Sequence, residues 1–185
     1  MDPVTAAFDA APRAAFLPRG ARARASYDGP IQIGHGQTNS QPTTVAAMLH
    51  LLAVQPGNRI LDVGAGSGWT TALLAHLTGP TGSVLGLEVV PELVRVGAAN
   101  LDAARFPWAC IEQADPASLG APDRAPYDRI LVSANALSLP HGLVDQLADP
   151  GRLVLPVASV MTLVVNDRGE QRLTEHGSYR FVPLV

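Results

Sequence analysis

Two stretches of this 185-residue chain bring together side chains that can do chemistry. The first is Ile60-Leu61-Asp62-Val63-Gly64-Ala65-Gly66-Ser67-Gly68-Trp69, an apolar run feeding a glycine-rich turn. Glycines let a ligand approach the backbone, and the N–H groups of a helix starting just beyond them are free to bind it. The spacing Gly64-x-Gly66-x-Gly68 differs from the Gly-x-Gly-x-x-Gly of dinucleotide sites. Asp62 stands two residues ahead of Gly64, where a carboxylate repels a pyrophosphate and suits a ligand with a cationic portion, as in the sulfonium amino acid of S-adenosylmethionine. Glu88 lies twenty residues past Gly68 and ends the next apolar run, where a carboxylate can accept both hydroxyls of a ribose. Asp115 follows the strand after that, and two readings stay open for it: contact with an adenine amino group, or a turn-capping Asp.

The second stretch is Gly34-His35-Gly36-Gln37-Thr38-Asn39-Ser40-Gln41-Pro42. It is too polar for a core element and too rich in hydroxyls and amides for a mere connection, which suggests a substrate-side lip to a cofactor cradle. His35 either joins that polar network or is a structural histidine bonded to backbone.

Composition removes several chemistries. All 13 basic residues are arginine, so no lysine exists to form a Schiff base or to serve a P-loop. A net charge of −3 gives no basic footprint for nucleic acid. Cys110 is the only cysteine, excluding an intrachain disulfide, and beside Ala109 and Ile111 it reads as a core residue. The histidines at 35, 50, 76, 141 and 176 lack ligand spacing, so no metal site is expected. The N-terminus has neither the basic nor the apolar region of a signal peptide, and no apolar run reaches membrane-spanning length. A cytoplasmic protein with no membrane association is the expectation. Arg19, Arg22 and Arg24 are read as a solvated face, with contact to an acidic peptide as the other possibility.

These residues need elements to hold them. Residues 3–16 read as a short helix interrupted near Pro12, and 17–37 as ordered irregular structure. Pro42 suits a first helical position, opening a helix to about Ala53. Strands are then expected at 59–63, 83–88, 108–113, 127–132 and 152–157, with helices at 69–78, 91–104 and 140–148. Residues 161–166 and 173–182 flank a hairpin turn at 167–170. The alternation predicts an α/β fold, a doubly wound, mostly parallel Rossmann-like sheet with a C-terminal antiparallel hairpin. One domain over 1–185 is expected, with 1–54 as a helical and irregular substrate-side segment and 55–185 as the cofactor-binding core.

The chain resembles the protein-L-isoaspartate (D-aspartate) O-methyltransferase family. Ala11-Pro12-Arg13-Ala14-Ala15-Phe16-Leu17-Pro18 is similar to the family's Val-Pro-Arg-x-x-Phe-Val-Pro. Ile33–Pro42, Pro56–Gly64, Glu88–Leu93, Ala125–Asp128, Gly151–Val157 and Arg180–Leu184 extend the similarity over nearly the whole sequence. The glycine loop alone indicates a class I methyltransferase, whereas Gly-His-Gly-Gln-Thr-x-Ser-Gln-Pro is far more specific to the family.

The resemblance implies S-adenosylmethionine as cofactor and S-adenosylhomocysteine as product. It implies isoaspartyl or D-aspartyl residues of damaged proteins as acceptors, repaired through a succinimide by a monomeric enzyme. By position, Ser40 is implied as the active-site serine, with Thr38, Gln41 and Thr43 along the same lip against the cofactor. Asp62, Gly64, Ala65, Gly66, Ser67, Glu88 and Asp115 are implied to hold the cofactor, and Tyr179, Arg180 and Phe181 to border the peptide cleft. The segment after Val157 is shorter than the family's loop and lacks its Gln. That leaves two alternatives open: a related carboxyl methyltransferase tailoring an aspartate in one ribosomal peptide, or a cofactor-binding homologue with weak activity.

Overall fold

The computed structural model describes residues 1–184. Helix α1 (Pro3–Ala10) starts where Asp2 accepts the Thr5 backbone N–H, and 3₁₀ turns follow at Arg13–Phe16 and Arg19–Arg24. Strands β1 (Ile31–Gly34) and β2 (Gln37–Asn39) form an antiparallel hairpin where irregular chain was expected. Alternation hides there because Gly34, His35 and Gly36 all take left-handed φ values to make the turn, leaving strands too short to show a period. Helix α2 (Pro42–Leu52) has Pro at its first turn and ends at Ala53, which is left-handed at φ 49°.

The central sheet is built from β3 (Arg59–Val63), β4 (Ser83–Glu88), β5 (Ala109–Gln113), β6 (Tyr127–Val132), β7 (Leu147–Val157), β8 (Val160–Asp167) and β9 (Glu170–Ser178). Its spatial order is β5-β4-β3-β6-β7-β8-β9; the first five strands are parallel and the last two antiparallel. Helices α3 (Trp69–Thr78) and α4 (Pro91–Ala104) make the crossovers β3 to β4 and β4 to β5. The chain then returns across β3 to β6, so the carboxyl end of β3 is the switch point where such sheets take ligands.

The two faces of the sheet are covered differently. One carries α1, α2, α3 and part of α4, packed through Met48, Leu49, Leu52, Leu73, Leu74 and Leu101 on Ile60, Leu131 and Val154. Over the other, Leu61, Tyr127, Ile130, Leu153 and Leu155 lie under the 114–126 connection, the single turn of α5 (His141–Val144) and the C-terminal segment. The helix expected over 140–148 therefore stops early. Gln146, only 3% exposed, turns its carboxamide to Leu119 O, Gly142 O and the Ala121 N–H, and Leu147 already pairs with Tyr127 in β6. Cys110, expected in the core, lies exposed on edge strand β5, with its Sγ 3.7 Å from Glu112.

Candidate active site

A cavity of about 580 Å³ opens at the carboxyl ends of β3, β4 and β6. Its floor is the turn between β3 and α3. Gly64, Gly66 and Gly68 have φ of 83°, 54° and 89°, and the Gly64 and Ala65 N–H groups both donate to Leu87 O, bending the chain back over β4. Gly68 is required for a second reason: a β-carbon there would lie 2.9 Å from the Gly97 carbonyl of α4, so only glycine lets the helices close up.

Glu88 forms one wall. It is 5% exposed, and its two oxygens accept N–H groups from Gly66 (2.8 Å) and Val90 (2.9 Å). Each oxygen keeps a lone pair for a ligand diol, and the carboxylate is pinned before any ligand arrives. Asp115 sits exposed at the far rim, its Oδ1 accepting the Ala117 N–H, in the loop 114–120 that lines the cavity.

Thr38, Asn39 and Ser40 form a lip of the cavity. Its anchor is Arg13, 6% exposed, which the sequence reading placed in a motif without giving it a task. The guanidinium donates to the carbonyls of Tyr27 (2.7 Å), Gly29 (2.8 Å), Asn39 (3.1 Å), Ser40 (2.8 Å) and Ala25 (3.4 Å), and to Asn39 Oδ1 (2.7 Å). It also lies 5.4 Å over the Trp69 ring. Burial pulls its pKa down and the charge of Asp28 pushes back up. A lone arginine in an otherwise apolar stretch was the available signal, since a buried guanidinium needs many acceptors.

Three residues expected at the cofactor are not among those lining the cavity. Gln41 and Thr43 do not line the cavity: the Gln41 amide, the Thr43 hydroxyl and the Thr43 N–H all donate to the Asp28 carboxylate, which thereby caps the start of α2. The Thr43 hydroxyl and N–H, followed by Gln41, hold the Asp28 carboxyl below the usual range. Pro42, with its preset φ and no N–H to satisfy, suits the first helical turn that Asp28 caps. Asp62 is fully buried beneath the glycine turn and outside the cavity wall. The Thr70 (2.8 Å) and Thr71 (2.7 Å) hydroxyls donate to its Oδ2, while Oδ1 has no partner. Burial pushes its pKa up to about 6, against the lowering by the two hydroxyls, and the Glu88 charge adds to the rise.

The lining also includes Gly64, Ala65, Gly66, Ser67, Glu88 and Asp115 as expected, together with residues the sequence did not indicate. Val182, Pro183 and Leu184 close one side, held because the Asn135 N–H donates to Val182 O (2.7 Å) and Leu184 N–H to Asn135 O (2.9 Å). Tyr179 and Phe181, expected at the cleft, instead pack against the helical core. Only extended pairing with the 133–136 segment decides which of these C-terminal residues face inward, and no local pattern encodes it. The Ala158-Ser159 connection is a two-residue turn between Val157 and Val160, so no loop folds over the cavity from there.

The sequence model of the protein-L-isoaspartate(D-aspartate) O-methyltransferase family matches residues 1–185. A protein-L-isoaspartate O-methyltransferase of Methanocella arvoryzae is 42% identical over 180 residues, 96% of this chain and 95% of the relative. That of Methanothrix thermoacetophila is 41% identical over 98% of this chain and 87% of its own. A Plasmodium falciparum chain assigned as protein-L-isoaspartate O-methyltransferase, solved with S-adenosyl-L-homocysteine, superposes with a TM-score of 0.89 at 26% identity, covering 100% of this chain and 91% of that one.

Proposed function

The chain belongs to the protein-L-isoaspartate(D-aspartate) O-methyltransferase family, and from that membership we infer that it moves a methyl group from S-adenosylmethionine to the free carboxylate of isoaspartyl residues in damaged proteins. The observation that carries the reading is one shared cavity. Glu88, the glycine turn and Ser40 all line it, with Glu88 clamped to the turn at Gly66 and the residue before Ser40 bonded to the turn at Ser67.

The residues present fit the cofactor. Glu88 offers two fixed acceptors to a ribose diol, the loop 114–120 lines the same cavity, and the negative charge of the buried Asp62 carboxylate close behind it suits a ligand with a cationic portion. When bound, S-adenosylmethionine supplies an electrophilic methyl on a sulfonium. The protein has little left to do in acid–base chemistry, because an isoaspartyl carboxylate is ionised at neutral pH. Its task is alignment and partial removal of water, and holding two reactants in register is worth up to ~7–11 kcal/mol in favourable systems. Ser40 is assigned to donate its hydroxyl to the acceptor carboxylate and orient it, with Thr38 beside it.

Acceptance of D-aspartyl residues, action as a monomer in the cytoplasm and independence from nucleic acid complete the reading. Among the described residues no helix is long and apolar enough to cross a membrane. A methyl ester so formed closes readily to a succinimide, whose hydrolysis returns part of the backbone to normal aspartyl linkage. Chromatography of an isoaspartyl peptide incubated with protein and S-adenosylmethionine tests this. Progressive conversion to the aspartyl form is expected; a peptide that stays isoaspartyl, with no base-labile ester formed, overturns it.

A further inference from the structure

We propose that Arg13 and Asn39 are positioning residues that tie the lip carrying Ser40 to the cofactor turn, so that filling the cofactor end of the cavity orders the lip. The inference rests on the reading above, in which the cofactor lies against Ser67.

Burying a guanidinium is costly unless every N–H finds an acceptor. Arg13 meets that need without a carboxylate: among the described residues it makes no ion pair, and all six acceptors are neutral oxygens drawn from two separate stretches, 25–29 and 39–40. The carbonyls of Asn39 and Ser40 belong to the peptide planes on either side of the Ser40 α-carbon. Both accept from the same nitrogen, Nη2, at 3.1 and 2.8 Å. One rigid, planar cation therefore sets the direction in which the Ser40 side chain leaves the backbone.

The second half of the device is the Asn39 carboxamide. Its oxygen faces Arg13 Nε, a pure donor, which leaves the amide nitrogen to donate to Ser67 Oγ at 3.3 Å. Asn39 and Ser67 are 5% and 3% exposed, so water does not compete at this bond. Ser67 O in turn accepts from Asn100 of α4 at 2.9 Å. The connection runs Arg13–Asn39–Ser67–Asn100, from the N-terminal segment through the lip and the turn to a helix on the sheet. Asn39, Ser40 and Ser67 all line the cavity. A ligand that immobilises the turn at Ser67 thus removes freedom from Asn39 and from the two peptide planes beside it. By linkage, an acceptor ordering the lip tightens the cofactor by the same factor.

Hydrogen exchange of the amides of residues 37–41, with and without saturating S-adenosylhomocysteine, reads this without reference to any acceptor. In the unsubstituted protein the ligand is expected to slow lip exchange about tenfold, within the usual range for coupling between two sites. Asn39→Ala removes the whole bridge. Ser67→Ala leaves the Arg13 network in place and removes only the bond to the turn. Each variant, at its own saturating ligand concentration, is expected to show less than about a twofold ligand effect, while β4 amides exchange as before. A residue that merely holds the fold together changes lip exchange equally with and without ligand. Full protection surviving in both variants, or no protection in the unsubstituted protein, overturns the proposal. A parallel assay of methyl transfer to an isoaspartyl peptide separates the two readings: protection without transfer supports the coupling and removes the acceptor assignment, whereas transfer with lip exchange indifferent to ligand does the reverse.

Discussion

Ser40 and Glu88 line the same cavity, and the two are expected to fail in different ways. A hydrogen bond to a charged group is worth about 1.5–3 kcal/mol. Ser40→Ala should therefore lower kcat roughly 10- to 150-fold while the S-adenosylhomocysteine Kd, read by calorimetry, moves less than about threefold. Glu88→Ala should weaken that Kd first, because it strips both the ribose acceptors and the clamps on Gly66 and Val90. Equal losses in both quantities for Ser40→Ala would place Ser40 in the cofactor site alone. At this scale the sequence announced residues whose motif sits on the cavity wall, such as Ser40, Glu88 and Gly66. It gave no task to Arg13 or Asp28, whose partners lie 12 to 27 and 13 to 15 residues away, nor did it show that the side chains of Gln41 and Thr43 turn to Asp28 and that of Asp62 to Thr70 and Thr71. A motif names positions, but the direction of a side chain depends on the helix start or strand face that carries it.

Elements with strong local signals were legible. The apolar runs of β3, β4 and β6 sit in a sheet covered on both faces, so they read as continuous hydrophobic stretches, and α4 has its proline and a polar outer side. The β1–β2 hairpin and the truncated α5 were not, because each is decided by distant partners: the Arg13 guanidinium for the first, the Gln146 carboxamide for the second. The β7–β8 turn makes a prediction of its own. Ala158 (φ 47°) and Ser159 (φ 69°) both occupy left-handed backbone, which suits Asn-Gly far better. Ala158→Asn with Ser159→Gly is expected to stabilise the fold by about 0.5–2 kcal/mol, raising Tm by a few degrees in calorimetry, with S-adenosylhomocysteine affinity unchanged. An unchanged or lower Tm would contradict the turn geometry.

For the whole molecule, the buried Asp62 links stability to pH. Its pKa rises from 3.8 in the unfolded chain to about 6 in the fold, so the folded state holds the proton more tightly. The stability this group contributes is complete below pH 3.8 and is lost as pH rises through 6, a cost of roughly 3 kcal/mol at neutral pH. Asp28 and Glu112, held below the usual carboxylate range, act with the opposite sign at lower pH. Comparison with Asp62→Asn isolates the effect: urea midpoints should lose the fall between pH 4 and 6 in the variant, and an identical pH profile would mean the carboxyl is not buried as described. The mostly parallel α/β class was legible from the alternation of strands and helices. The unequal cover of the two sheet faces, and the C-terminal segment laid along 133–136 to close the cavity, were not, because long-range pairing alone produces them. All of these parts serve one claim, that a cofactor site and an isoaspartyl site share one cavity. The most direct test offers methyl-labelled S-adenosylmethionine with two peptides that differ only in an isoaspartyl against a normal aspartyl linkage. Base-labile label on the isoaspartyl peptide and none on its twin is the result expected; label on neither, or equally on both, would contradict the account.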